Sequence, residues 1–526
     1  MNVWDAFLET AIVPNSGGQL SPIYIDVPDK GPYEFEDVSS DGSSLLVYGH
    51  QQTNGVGDIW VVGTQGHPAR YLTRASHAAW SPDGKSVVYT GAFGDFHVIP
   101  SSGGESRLLI NLSQMKPSAL STATPHFLEN GRPHWSPDGR VIRFTWNQRI
   151  WEMLPNGANL HQLLPNWRPS SFTCCGRWTP DGELYVFRSG TTLSNSDKFD
   201  PGSQLFALDE RRRRSASPRS DPIQLTSAPM LWGDPVPSHD GTRIFARGLN
   251  LRAELLRWDS EAKQLQPYLG GISAEFLWFS RDGRSVAYVS YPDGILWRAN
   301  TDGTGQVQLT KPPMYPKTVR WSPDGTQIVF EDDSAGGVYS IYVVPAQGGT
   351  PVRVLPENSD SQTDPDWSPD GKSLVYAYAP LNGSRGAGER YLRVLDVATH
   401  KLTKVPGSEG CWSPRWSPDG RYIAALRNGI AVFDLEAHHW TTVQEGLRGY
   451  PTFSRDSRWI YFLRFIDAAV LRVPVSGGPA EQVIDLKDFR LGGFWGFWMG
   501  LDPTDAPLLL RDEGTEEIYA LTLDRK

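Results

Sequence analysis

At 526 residues the chain is longer than one ordinary domain core accommodates, so two domains are expected. With 52 Gly, 41 Pro and 20 Trp, and no long Ala/Glu/Lys/Leu runs, the composition is that of a turn-rich all-β globular chain rather than a disordered one. A net charge of −9 argues against a phosphate-binding surface spread over the molecule. No apolar run reaches the roughly 18 residues that a membrane-spanning helix needs.

The first segment, MNVWDAFLETAIVPNSGG, lacks the basic start and apolar core of a signal peptide. The stretch AFLETAIVPNSGGQLSPIYIDV predicts a third strand, an SGG turn and a fourth strand, so the chain begins late in a four-stranded unit. From there one motif recurs. EDVSSDGSSLLVYG (Asp41) opens the series, followed by HAAWSPDGKSVVYTG (Asp83), PHWSPDGRVIRFTW (Asp138) and GRWTPDGELYVFRS (Asp181). PVPSHDGTRIFARG (Asp240) and LWFSRDGRSVAYVS (Asp282) are weaker copies. VRWSPDGTQIVFED (Asp324), PDWSPDGKSLVYAY (Asp370) and PRWSPDGRYIAALR (Asp419) are strong ones. PTFSRDSRWIYFLR (Asp456) is degenerate, and FWMGLDPTDAPLLLRD (Asp505) closes the series. Neighbouring aspartates lie 37 to 59 residues apart, mostly 42 to 49, which is the period of a propeller blade.

Each copy reads as one strand ending at Trp, a turn, and three further strands. Pro pre-sets φ in the turn, Asp bonds nearby amides, and Gly takes the left-handed corner. A second strand such as SVVYTG or QIVFED follows, then a third such as DIWVVG or YSIYVVP. A Gly-rich turn such as SSGGES or AQGGTP leads to a fourth strand. Trp80, Trp135, Trp178, Trp321, Trp367 and Trp416 stand three residues before the Asp and are expected to fill the space between blades rather than form a ligand platform. The aspartates are expected to be turn formers. Near the C-terminus, LLLRD and EIYALTL read as second and third strands without a fourth, so at least one blade is expected to borrow strands from a distant part of the chain.

WSPDG followed by a strand, with a GG turn before the last strand, resembles the TolB-type propeller repeat. FTCCGRWTPDG, GISAEFLWFSRDGRSVAYVSYPDGILWR, GSEGCWSPRWSPDGRYIAAL and WMGLDPTDAPLLLRDEGTEEIYAL resemble, more closely, the propeller region of bacterial transcriptional regulators that carry a winged helix and a membrane helix. The resemblance covers nearly the whole chain. The repeats themselves imply an all-β fold of tandem β-propellers, about eleven four-stranded WSPDG-type repeats, and because a ring usually holds four to eight blades, two rings of about six. The domains expected are an N-terminal propeller over 1–270 and a C-terminal one over 271–526. The resemblance implies a periplasmic setting, while the chain taken as complete implies a cytoplasmic one.

Chemistry-bearing residues are sparse. Cys174 and Cys175 are adjacent and Cys411 is distant, so neither a disulfide framework nor a zinc site is expected. The histidines (50, 67, 77, 97, 126, 134, 161, 239, 400, 438, 439) form no HxH or HxxxH pair. His438 and His439 are expected at an exposed hairpin turn, and His134 and His239 to be packed within the motif. Arg211 to Arg214 reads as a solvated basic loop, and NTDGTG as a hairpin turn rather than a calcium loop. There is no GxSxG elbow and no room for a hydrolase domain, which excludes a propeller-bearing peptidase. No catalytic, cofactor-binding or metal residue is assigned, and no cofactor is expected. The function expected is non-enzymatic binding of a protein partner or small ligand at a propeller face, without direct nucleic-acid binding or a membrane span. The alternative is an enzyme of carbohydrate lyase or lactonase type using channel residues, as in the oligogalacturonate lyases, which hold a metal in a propeller channel.

Overall fold

The repeated turn has one geometry throughout the computed structural model. Ser322 Oγ donates to Asp324 Oδ1 at 2.6 Å, Thr326 N donates to the same oxygen at 3.0 Å, and Gln327 N donates to Ser322 Oγ at 2.9 Å. Gly325 takes φ +72°, the left-handed corner that a side chain would resist. The same 2.6 Å hydroxyl–carboxylate bond recurs at Asp41, Asp83, Asp138, Asp181, Asp240, Asp282, Asp370, Asp419 and Asp456. These bonds favour the ionised carboxylate, and at Asp41 and Asp240 the hydroxyls of Ser39 and Ser238, two residues earlier, hold the pKa down at about 2. In the last copy the alignment slips by one. Asp502 accepts from Thr504 N and Ala506 N, and Asp505 occupies the glycine corner with φ +65°, so Asp505 is not the turn former that its spacing suggested.

The structure describes residues 11–12, 21–22, 33–49, 56–64, 68–91, 94–112, 131–147, 149–167, 172–190, 203–211, 221–227, 229–333, 338–355, 360–379, 390–446, 448–465, 468–494, 496 and 498–524. The chain is all-β, with 56 % of the described residues in strands and 1 % in helix, and folds as tandem β-propellers of four-stranded antiparallel blades. No helix among the described residues is long and apolar enough to cross a membrane.

Two compact units divide it: residues 251–515, and residues 11–250 with 516–524. The chain passes from one unit to the other at Asn250/Leu251, and the C-terminal strand returns to the N-terminal unit. The reason is strand pairing. Ala253–Asp259 and Gln264–Pro267 complete the sheet begun by Met499–Leu501 and Pro507–Asp512, with Leu255 opposite Leu510 and Leu256 opposite Leu509. Thr515–Thr522 therefore does not continue that sheet. It joins Leu231–Pro237 and Arg243–Asn250 in the N-terminal propeller. Both closures use strands from distant parts of the chain, which removes exposed edges.

Among the described residues the C-terminal propeller contains six four-stranded sheets. Their innermost strands are Ala274–Phe279, Lys317–Trp321, Ser361–Trp367, Trp412–Trp416, Arg448–Phe453 and Met499–Leu501, and each packs on the next until the last meets the first. In the N-terminal propeller the described residues form four four-stranded sheets and one three-stranded sheet, whose inner strands are Tyr33–Val38, His77–Trp80, His134–Trp135, Phe172–Trp178 and Leu231–Pro237, besides one two-stranded sheet. Ala11–Ile12 pairs with Ser21–Pro22, and the rest of the first predicted strand pair lies outside the described residues.

The core lies between sheets. Val329 and Ile341 of one blade meet Trp367, Leu374 and Tyr376 of the next, and Ala424 and Val432 meet Phe453, Ile460 and Phe462. Trp80, Trp178, Trp321 and Trp367 are buried in such layers, while Trp135 and Trp416 are half-buried at their margins. Trp321 Nε1 donates to Trp278 O of the preceding blade at 3.0 Å. His439 and His438 are exposed at their turn, as is His239, whose expected packing is absent because it sits on the outer side of its turn. Arg211 is exposed, and Arg212 to Arg214 lie outside the described residues. So do His50, His67 and His126.

Candidate functional site

The innermost strands carry a shared irregularity. Each of five inner strands in the C-terminal propeller is bulged, and the bulged residue is left-handed: Phe276, Thr318, Asp364, Ser413 and Tyr450, with φ of 51, 47, 55, 51 and 45°. All stand six residues before their motif aspartate. Such conformations are costly for residues with a side chain, and they persist only where surrounding structure enforces them. A bulge re-aims the side chains around it. Here it sets charged residues two positions later against one another.

Those residues directly precede the motif tryptophans. Arg320 Nε lies 3.7 Å from Asp366 Oδ1, with its guanidinium 4.1 Å over the Trp278 ring and Nη1 donating to Val319 O at 2.7 Å. Arg415 Nη2 lies 3.4 Å from Asp364 Oδ1, and its Nη1 donates to Pro414 O at 2.7 Å. Asp366 Oδ2 accepts from Trp416 N at 2.8 Å and Oδ1 from Trp367 N at 3.0 Å. Ser413 Oγ donates to Asp364 at 3.3 Å, and Asp364 N donates to Glu331 Oε2 at 2.7 Å. Beside them Lys317 Nζ reaches Asp333 Oδ1 at 3.1 Å and the Tyr339 hydroxyl at 3.4 Å. Arg320, Arg415, Asp366, Lys317 and Glu331 are all buried.

Burial governs the electrostatics. It pulls Arg320 down to about 9, helped by the like charge of Arg415 and opposed by Asp366 and Asp364. Burial also raises Asp366, against both guanidiniums, and raises Glu331, helped by Asp364. The Tyr450 hydroxyl is pushed well above its ordinary value by burial and by the surrounding carboxylates.

No protein-family model matches the chain. It is 26 % identical over 195 residues to the uncharacterized peptidase YuxL of Bacillus subtilis, covering 35 % of this chain and 28 % of that protein. It is 32 % identical over 98 residues to the Tol-Pal system protein TolB of Francisella tularensis, covering 18 % of this chain and 21 % of TolB. The chain thus spans under a third of either relative. A solved structure of a candidate TolB from Agrobacterium tumefaciens aligns with 50 % of this chain and 99 % of that one, at a TM-score of 0.41 and 20 % identity. The repeat is TolB-like.

The N-terminal propeller carries its own version of the arrangement. Arg177 Nη1 lies 3.5 Å from Asp37 Oδ1, and Asp37 Oδ2 accepts from Trp80 N at 2.9 Å, as Asp366 does from Trp416. His77 Nδ1 lies 3.2 Å from Glu36. Burial, then the positive charge of Arg177, holds His134 well below the ordinary histidine range. Among the described residues no group of three His, Cys, Asp or Glu side chains is placed to hold a metal ion. NTDGTG is a turn, with Thr304 N donating to Asp302 at 2.9 Å. The sequence assigned no site residue. Arg320, Asp366, Arg415, Arg177 and Asp37 vary in sign from copy to copy, which hides them in the sequence, although all stand four residues before their motif aspartate.

A further carboxyl is buried on the inner strand that carries Phe276. Glu275 accepts from Phe494 N at 3.0 Å, and Gly493, at φ +104°, leaves the room its carboxyl occupies, since a Cβ there would overlap Glu275 Oε2. Burial raises Glu275 from 4.5 to about 8. Between those values the folded chain holds a proton that the unfolded chain has lost, so stability falls as pH rises, by about 1.4 kcal/mol per pH unit. Glu275→Gln, a neutral isostere, is expected to melt like the parent near pH 4.5 and progressively above it towards pH 8. Parallel melting curves across that window would show that the carboxyl is ionised throughout.

Proposed function

We propose that this chain is a non-enzymatic binding protein, a sensor or protein-interaction module, with the inner-strand charges of the C-terminal propeller as its recognition centre. The observation that carries this reading is the alternation of buried Arg320, Asp366 and Arg415 with half-buried Asp364 across three consecutive inner strands. Charges already desolvated and oriented need little further ordering when a ligand meets them, which is the benefit of preorganisation. Trp412, 37 % exposed on the same strand as Arg415, offers the aromatic surface that such contacts use. The TolB-like repeat supports a protein partner at a propeller face, either for the sensor part of a transcriptional regulator or for a TolB-like periplasmic protein. One observation favours an enzyme instead: a buried carboxyl with a pKa of about 8, as at Glu275, is poised for acid–base work in a carbohydrate lyase or lactonase.

A thermal-shift screen against short acidic, basic and neutral peptides and against acidic oligosaccharides separates the two. The expected result is a peptide that raises the melting temperature of the parent but not of Trp412→Ala or Arg415→Lys. Arg415→Lys keeps the charge and loses the planar fork. Appearance of unsaturated sugar product from an oligosaccharide, abolished in Glu275→Gln, would replace the binding reading with the lyase one.

A further inference from the structure

Cys174 and Cys175 do what the sequence reading did not anticipate: they are joined to each other by a disulfide, while Cys411 is a buried free thiol. The pair lies on Phe172–Trp178, the inner strand of the fourth N-terminal sheet, and the strand's register shifts between Cys174 and Arg177. Cys175 is left-handed, with φ +59°. It stands six residues before Asp181, the place held in other blades by Asp234, Phe276, Thr318, Asp364, Ser413 and Tyr450, all with φ between 45 and 55°. None of those residues is cross-linked. The bulge is therefore a property of the repeat, not a product of the bond.

The backbone on either side is fixed by other contacts. Cys175 N donates to Thr145 Oγ1 of the preceding sheet at 3.2 Å, Gly176 leaves space that the Tyr185 ring fills, and Arg177 is held at Asp37. Adjacent cysteines in an ordinary extended strand point to opposite faces; a bulge at this point brings them to the same side whether or not they are bonded. Cys174 is fully buried and Cys175 half-buried, so one of the two is open to a small reagent.

We propose that Cys174 and Cys175 form a reversible two-electron dithiol–disulfide site, preorganised by the blade and reduced by small dithiols. A thiolate of the reductant attacks Cys175 Sγ, the S–S bond breaks, and Cys174 leaves as a thiolate that takes up a proton. The reductant's second thiol attacks the mixed disulfide, closing its own ring and expelling Cys175, which takes up the second proton. Two electrons and two protons have then moved to the protein, and the reductant is a cyclic disulfide. The reduced chain presents two thiols side by side on the inner strand.

The test holds the whole chain in graded mixtures of reduced and oxidised dithiothreitol, alkylates it under denaturing conditions and reads the intact mass. The expected result is a single two-electron transition, superimposable in both directions, between chains with one alkylated cysteine, Cys411, and chains with three. Circular dichroism and cooperative unfolding should be alike in both forms. The reduced native chain should take up one equivalent of phenylarsine oxide, which bridges neighbouring thiols and protects both from alkylation, and Cys175→Ser or Cys174→Ser should take up none. Three alkylated cysteines in fully oxidised buffer would overturn the proposal, and so would loss of folded structure on reduction. Both readouts on the parent chain stand even if neither serine variant folds.

Discussion

Trp321→Ala should cost roughly 3–5 kcal/mol of stability, the range for truncating a large aromatic in a packed interior. Trp321 is 7 % exposed, and its ring lies between the blade it ends and the blade before it. The loss has two separable parts. The indole N–H donates to Trp278 O at 3.0 Å, and removing that donor leaves a carbonyl without its partner, about 1 kcal/mol. The rest is the cavity between two sheets that cannot close independently, since each is fixed in a ring. Trp321→Phe should therefore cost the smaller part only, and the two variants measured by urea unfolding divide the total. A Trp321→Ala chain that unfolds like the parent but no longer binds its ligand would mean that the motif tryptophans form a recognition platform instead.

That tryptophan was legible because its role repeats. A turn formed by Ser, Pro, Asp and Gly, an aromatic three residues earlier and a strand on either side recur often enough for the period to reveal the blade. The structure returns the same hydrogen bonds at ten aspartates, from Ser39–Asp41 to Ser454–Asp456. Asp505 was misplaced because Asp502 and Thr504 substitute for Ser and Asp, so spacing pointed to the wrong carboxylate. Closure was half legible: a missing fourth strand is visible in sequence, but which strand supplies it depends on pairings such as Leu255 with Leu510, far apart in the chain.

The candidate site was not legible, for a physical reason. Its charges have partners on other blades, so Arg320 near Asp366 and Arg415 near Asp364 leave no local pattern that a window could detect. The left-handed residues that position them share no residue type, being Phe, Thr, Asp, Ser and Tyr in successive blades. Only their constant distance from the motif aspartate betrays them. The cysteine pair was visible as a pair, but its bonding depends on a bulge that the alternation rule for strands does not provide.

Arg415→Met should be the most damaging change at the recognition centre, again by roughly 3–5 kcal/mol, because it strips the cation from a half-buried carboxylate while leaving the carboxylate in place. Arg415 is 2 % exposed, and its Nη2 lies 3.4 Å from Asp364 Oδ1. Asp364 keeps only the weaker attraction of Arg320, whose nearest carboxylate is Asp366 at 3.7 Å, while its own N–H is engaged by Glu331, whose protonation burial already favours. The cost is thus chiefly that of an orphaned charge and not of a lost attraction, and the two differ in what rescues them. Asp364→Asn placed on top of Arg415→Met removes the stranded charge while keeping a polar group for Ser413 Oγ. The double variant should regain much of the lost stability, giving a coupling well above the few tenths of a kcal/mol at which distant sites add. If the two changes simply add, the buried pair contributes nothing as a pair. The alternation of charge across the inner strands would then be a by-product of packing, and the recognition centre would have to be sought on another face of the propeller.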